Sequence, residues 1–373
     1  MVCMGMDARR IGLATVVTAL VLGLLAGSAL AQTPSRKKGI WGPVRVNGVS
    51  QFPIYHDLGA GIYMMRINWW AVAPTRPKHP TDPNDPAYVW PAEVDDAIGQ
   101  AKPYGMRIAM ELSDTPGWAS GHPGDPRWAP KRAQDFANFA MAAARRYPSI
   151  HLWLIWPEPT QKANFQPLIS ERRDRPLTQR MKRGPHRYAR LLDASYGALK
   201  KVSKQNLVIG GNTFTTGDVS VLNWIKNLKL PNGKPPRMDM YGHNPFNNRA
   251  PILGGPPLGH GFIDFTDLPI LARWIDRYLG RPRHHVGMKI FISELMYPTD
   301  HRNFEFDYWV SRRTAASWLA DALREARGWK RIYTLAWTAL YDDPVRPDKL
   351  EVNRGLLTRK GKKKPAYYAF KNG

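Results

Sequence analysis

Short apolar, β-branched runs alternate along this chain with longer segments whose apolar residues recur at helical spacing. Runs at Gly42–Val49, Ile62–Asn68, Met106–Leu112, His151–Trp156, Leu207–Gly211, Met238–Tyr241, Lys289–Ser293 and Ile332–Trp337 read as strands. Between them, Lys131–Arg146 places Phe136, Phe139, Ala140 and Ala143 on one helical stripe. Tyr188–Lys204, Leu268–Leu279 and Ser311–Arg327 follow the same pattern, and only the segment after the first strand is poorly marked. Eight strands alternating with helices, with no break in composition, predict an α/β fold, a single (β/α)8 TIM barrel over residues 32–373. Segments that follow strands are long and rich in Pro, Gly and Trp: Ala71–Trp90, Ser113–Pro130, Gln161–Pro185 and Asn244–Thr266. Helix-to-strand connections are short. A barrel with long loops on one face builds its cleft there.

Two carboxylates close strand-like runs. Glu158 follows Leu152-Trp153-Leu154-Ile155-Trp156-Pro157, and Glu294 follows Lys289-Ile290-Phe291-Ile292-Ser293. A carboxylate at a strand end stands on the rim where parallel barrels carry out chemistry. Two on one rim suit glycosidic bond cleavage, one donating a proton and the other attacking or activating water. Either one alone reads equally well as an exposed polar strand end. Glu111, near the end of the third strand, reads as a structural carboxylate.

Composition narrows the partners. Residues 1–31 have the form of a signal peptide: Arg9 and Arg10, an apolar stretch from Ile11 to Leu25, then Ala29-Leu30-Ala31. Cleavage near Ala31 would send the protein to the cell envelope or the medium; an uncleaved anchor is the alternative. No other apolar run has spanning length, so stable membrane insertion is not expected. The single cysteine, Cys3, lies in this leader, so disulfides, thiolate metal sites and a cysteine nucleophile are not expected beyond it. A net charge of +24 favours anionic polymers or lipid surfaces, although Arg is spread throughout the chain. No nucleic-acid motif accompanies the charge, so nucleic acid is not an expected partner. His284-His285 lacks accompanying ligands and reads as a solvated turn, so no metal is expected. Nothing in the sequence fixes the oligomeric state.

The order of these parts resembles the clan A retaining glycoside hydrolases, with cellulase-like and xylosidase-like members nearest in tone. Trp156-Pro157-Glu158-Pro159 is similar to that group's Trp-Asn-Glu-Pro motif, and Ile292-Ser293-Glu294 to its nucleophile motif. The resemblance implies a retaining β-glycoside hydrolase without cofactor, acting on a carbohydrate, with Glu158 as acid/base and Glu294 as nucleophile. It implies supporting roles for Arg66, beside Trp70, in keeping the nucleophile ionised. Tyr241 and His243 would lie near the nucleophile and sugar hydroxyls, and Trp337 would form the platform beneath the sugar. One position departs. Pro157 stands where the group has an Asn that binds the sugar 2-hydroxyl, and proline has no donor. Asn212 or Asn68 is the expected substitute. The departure keeps a non-catalytic carbohydrate-binding barrel open as an alternative. So does a charge-driven cell-wall polymer binder. Finally, Gln161–Arg187 carries Lys162, Arg172, Arg173, Arg175, Arg180, Lys182, Arg183 and Arg187 against only Glu171 and Asp174. That bias reads either as recognition of an anionic or phosphate-decorated glycan or as a solvated loop.

Overall fold

The computed structural model describes residues 35–280, 287–303, 305–348 and 351–373. The expected signal peptide and the His284-His285 pair lie outside the described residues. Eight strands close a barrel: β1 (Ser35–Trp41), β2 (Ala60–Asn68), β3 (Arg107–Ser113), β4 (Leu152–Ile155), β5 (Leu207–Phe214), β6 (Met240–Asn244), β7 (Lys289–Leu295) and β8 (Ile332–Trp337). All neighbours pair in parallel, and β1 closes the ring between β8 and β2. Each strand leads to a helix: α1 (Phe52–Asp57), α2 (Ala92–Ala101), α3 (Ala133–Arg146), α4 (Arg183–Val202), α5 (Val221–Asn227), α6 (Leu268–Tyr278), α7 (Arg312–Gly328) and α8 (Pro365–Asn372). This is the (β/α)8 barrel that the sequence predicts. Its interior is filled by Ile62, Met64, Ala109, Leu154, Ile209, Met240, Phe291 and Ala336, a packed plug beneath the mouth.

The first strand is a correction. Gly42–Val49 is a turn containing the small ribbon Arg45–Val46 and Val49–Ser50, and the barrel strand lies earlier, at Ser35–Trp41. Its sequence, SRKKGIW, looks too charged for a buried strand. The two lysines bury their stems and spend their ammonium groups on carbonyls at the closed end of the barrel. Lys38 is 2% exposed and donates to Lys371 O at 3.1 Å, and burial pushes its pKa down to about 8. Lys37 donates to Ile332 O. The poorly marked first helix, α1, is only six residues long, which is why no stripe announces it.

Two strands carry an extra residue that sets the site. Between the pairs Leu335↔Ile292 and Trp337↔Leu295, β7 advances three residues while β8 advances two. The same mismatch occurs in β5, between Gly210↔Tyr241 and Thr213↔His243. A bulge of this kind reverses the facing of the residues after it.

Where β4 ends early, Tyr188 of α4 bridges the gap to β5. Its hydroxyl donates to Ile155 O at 2.7 Å and accepts from Gly211 N at 2.9 Å, fully buried. Replacing Tyr188 by Phe leaves Gly211 N unpaired in the core and Ile155 O with only the long 3.3 Å bond from Asn212 Nδ2. We expect a loss of about 2 kcal/mol in urea-induced unfolding, with little change in m-value; a loss indistinguishable from zero would show that water or backbone movement satisfies the gap.

Candidate active site

Strand parity decides which side chains reach the mouth. In β7, Phe291 joins the interior plug while Ile290 and Ile292 pack outward. Simple alternation would therefore face Glu294 toward the helices. The bulge turns it to the mouth, where Oε1 lies 4.0 Å from an Arg66 guanidinium nitrogen. Arg66 is itself aimed by its cross-strand partner: Glu111 on β3 is 1% exposed and accepts from Arg66 Nε at 2.6 Å. The Arg66 guanidinium also lies 5.8 Å from the centre of the Trp41 ring, and Trp41 donates to Ser293 O at 2.7 Å. Glu111, expected to be structural, is thus the anchor of the cation that serves Glu294.

Glu158 leaves β4 through a strained turn. Trp156 (φ 66°) and Glu158 (φ 38°) both adopt left-handed backbone on either side of Pro157. The strain is held by Trp156, whose N–H donates to Leu112 O and whose fully buried indole donates to Asn164 O at 2.8 Å. Three side-chain amides then fix the carboxylate. Gln161 Nε2 and Asn164 Nδ2 donate to Oε2 at 2.5 and 3.1 Å, and Asn244 Nδ2 donates to Oε1 at 2.9 Å. Asn244 is oriented in turn by the Ser293 hydroxyl, which donates to its Oδ1 at 2.6 Å. The bond therefore runs from the residue beside Glu294 to Glu158 itself. None of Gln161, Asn164, Asn244 or Arg354 was singled out from the sequence. Strand parity reveals Asn244 only once Met240 is seen in the barrel interior.

Burial, then the charge of Glu294, raises the Glu158 carboxyl to about 8; the Asn244 amide and Arg66 oppose this. Burial also raises Glu294 to about 7, with Arg66 and Arg354 pulling it down. Glu294 keeps 19% of its side-chain surface exposed and has two opposing cations, so it ionises first and Glu158 keeps the proton. On Glu158, Oε2 has both lone-pair directions occupied by amides. The proton belongs on Oε1.

The other candidates fall elsewhere. Met240 points into the barrel, so Gly242 and Asn244 share its face while Tyr241 and His243 turn toward the helices. Both are fully buried. The Tyr241 hydroxyl lies 3.3 Å from Thr213 Oγ1, and its ring fills the space above Gly211. His243 donates from Nε2 to Ile263 O at 3.0 Å and accepts on Nδ1 from Thr213 at 2.8 Å; burial lowers its pKa to about 4, keeping it neutral. Asn212 follows the β5 bulge, also fully buried, and donates to Trp156 O at 2.9 Å, extending the β4 edge. Asn68 accepts from Ser113 Oγ at 3.1 Å. Trp337 is 1% exposed, its indole donating to Arg354 O at 3.0 Å, so it forms wall and offers no open face. Trp70, by contrast, is 47% exposed beside the mouth, and its indole hydrogen-bonds Asp114, whose carboxyl burial pushes up. Among the described residues, no cluster of His, Cys, Asp or Glu could hold a metal ion, and no helix is long and apolar enough to cross a membrane.

The basic loop after Glu158 is tied down through its few acids. Glu171 accepts from Ser220 and Asn223, Asp174 pairs with His260 at 2.8 Å, and Asp218 accepts from Ser170 and from Lys162 N. Arg172, Arg175, Lys182 and Arg183 have no ion-pair partner among the described residues, and Arg173 stands over the Phe262 ring at 5.9 Å. Arg175, Lys182, Lys226 and His260 line a hollow of about 420 Å³ on this side of the barrel.

No protein-family model and no curated protein matches the chain. Solved structures do. A family 39 glycoside hydrolase from the gut symbiont Bacteroides cellulosilyticus WH2 superposes with a TM-score of 0.65 at 17% identity, covering 92% of this chain and 64% of that one. A monomeric beta-xylosidase from Caulobacter crescentus CB15 gives 0.59 at 15%, covering 90% and 67%, and a glucosidase from Croceicoccus marinus gives 0.59 at 15%, covering 91% and 66%. The likeness establishes the barrel fold. This chain spans about two thirds of the length of those chains.

The raised carboxyls carry a sign for stability. Burial raises both carboxyls from the ordinary 4.5, Glu294 to about 7 and Glu158 to about 8. Across that interval the native state holds protons that the unfolded chain has released, so stability falls as pH rises. We expect Glu294→Gln to raise the melting temperature at about pH 8 and to leave it nearly unchanged at about pH 4. Calorimetry showing the same effect at both values would mean that burial does not raise the Glu294 carboxyl in this way.

Proposed function

We propose that this protein is a retaining β-glycoside hydrolase. The observation that carries the reading is two carboxylates at one barrel mouth, Glu158 held by three amides and Glu294 set 4.0 Å from Arg66. There Glu158 keeps a proton on Oε1, while Glu294 is held toward its ionised form by Arg66, which Glu111 aims. In the first step Glu158 gives its proton to the glycosidic oxygen as the bond to the anomeric carbon breaks. The bonding pair leaves with that oxygen, and a Glu294 oxygen attacks the anomeric carbon from the opposite face. In the second step Glu158, now ionised, takes a proton from water. The water oxygen bonds to the anomeric carbon and Glu294 departs as carboxylate. The Asn244 amide shifts from sharing Oε1 with a proton to stabilising it as an oxyanion, so one bond serves both steps. The similar barrels of glycoside hydrolases support this reading, as does the motif at Trp156–Pro159. The substrate is an oligo- or polysaccharide, and the protein acts after export.

Pro157 and the three-amide grip on Glu158 favour a second reading, a barrel that binds carbohydrate without turnover. The basic loop supports a finer one: its unpaired guanidiniums would hold carboxylate or phosphate groups on the glycan.

Aryl β-glycosides and a panel of plant, fungal and bacterial polysaccharides separate these readings. Under the hydrolase reading, Glu294→Ala abolishes turnover. Glu158→Ala spares aryl substrates with good leaving groups relative to natural glycosides, and azide rescues it with retained configuration. Equal, mild losses in both variants would remove the assigned roles, and binding without turnover in the wild type would establish the second reading. For the loop, changing Arg172, Arg173 and Arg175 to Ser should erase a salt-sensitive preference for acidic glycans; a preference untouched by those changes would leave the loop as solvated surface.

A further inference from the structure

Beside the reacting pair lies a second hollow, of about 330 Å³, built by the loops after β5, β6 and β7. Its walls are aromatic. Phe214 and Phe246 have ring centres 5.5 Å apart, Phe246 and Phe306 are also 5.5 Å apart, and Tyr308 meets Phe306 edge-on at 6.4 Å. The Tyr308 hydroxyl donates to Asn247 O at 3.0 Å, which fixes that ring. Phe214 ends β5 directly opposite Asn244, the residue that donates to Glu158. On the other side, Glu305 lies near enough to Glu294 to raise its carboxyl. The hollow therefore adjoins residues that position both reacting carboxylates.

Its charge runs against the chain's. The lining holds two acids and neither Lys nor Arg, in a protein of net charge +24. Asp264 is already satisfied by a two-pronged pair with Arg249, at 2.6 and 2.9 Å. Glu305 has no ion pair at bonding distance among the described residues; burial pushes its carboxyl up, and Arg354 and Arg346 oppose this only through space. One carboxylate therefore remains free at the edge of an aromatic box. Flat rings cover the C–H faces of a pyranose, and a carboxylate accepts from two neighbouring hydroxyls. The same carboxylate repels an acidic sugar at close range.

We propose that this hollow is the subsite for a neutral sugar unit adjoining the cleaved bond, with Glu305 reading its hydroxyls and excluding uronic acids. The inference rests on the carbohydrate reading of the neighbouring pair but not on turnover. It separates the molecule into two zones: acidic substituents can be held only on the Arg172–Lys182 side, while the unit in the aromatic hollow is uncharged.

Calorimetric binding with the Glu294→Gln protein tests it, using neutral xylo- and gluco-oligosaccharides and an oligogalacturonate. Measurements are repeated with Arg172, Arg173 and Arg175 changed to Ser so that loop charge does not contribute. We expect at least one neutral series to bind, Phe306→Ala to weaken it about tenfold or more, and Glu305→Gln to weaken it severalfold. Glu305→Lys should admit the oligogalacturonate that the parent rejects. Neutral binding unchanged in both Phe306→Ala and Glu305→Gln, no neutral binding at all, or oligogalacturonate bound more tightly than the neutral series with the loop arginines removed would overturn the proposal. Binding that responds to these variants in a wild-type protein without turnover would sustain the subsite while removing the hydrolase reading.

Discussion

Three carboxylates, Glu111, Glu158 and Glu294, are gathered at one barrel mouth around the Arg66 guanidinium. Burying that much negative charge is unfavourable, and the site is the arrangement that makes it tolerable. Burial raises both carboxyls, and the charge of Glu294 raises Glu158 further. Together these effects keep Glu158 protonated at neutral pH. Arg66 lowers both carboxyls but ranks higher among the causes at Glu294, and of the two Arg354 pulls on Glu294 alone, so the proton stays on Glu158. A division into acid and nucleophile thus follows from where the cations stand.

The backbone is bent to make this possible. The bulge in β7 presents Glu294, while the left-handed turn through Trp156 and Glu158 presents the partner carboxylate. The bulge in β5 sends Asn212 to the exposed carbonyls of β4, and Tyr188 clamps the same gap from behind. Register also shifts where β1 meets β2 and where β8 begins against β7, but the two bulges above are the ones that shape the mouth. Strain at these points is supported by buried rings, chiefly Trp156 against Phe136 and Phe165.

Much of this was legible in the sequence. Alternating runs gave eight strands, and the strand-end positions of Glu158 and Glu294 drew attention to both. What the sequence hides is orientation. Tyr241 and His243 resemble site residues by order along the chain, yet the parity of β6 turns them outward and places Asn244 inside, which shows only once Met240 is seen in the barrel interior. The bulges were not foreseeable, because nothing in Ile292-Ser293-Glu294 marks an extra residue until its partner strand is known. β1 was misplaced for another reason: its lysines look solvated but cap carbonyls at the closed end. The missing Asn before Glu158 was visible as Pro157, whereas its surroundings, the amides of Gln161, Asn164 and Asn244, converge only in three dimensions.

The central claim is that Glu294 is the ionised nucleophile and Glu158 the proton donor. It is tested most directly by incubating the protein with 2-deoxy-2-fluoro-β-glycosides bearing an activated leaving group, then locating any adduct by peptide mass spectrometry. A sugar ester on the peptide containing Glu294, absent from Glu294→Gln, is the expected result. An adduct on Glu158, or hydrolysis of ordinary glycosides that proceeds with inversion, would contradict the account.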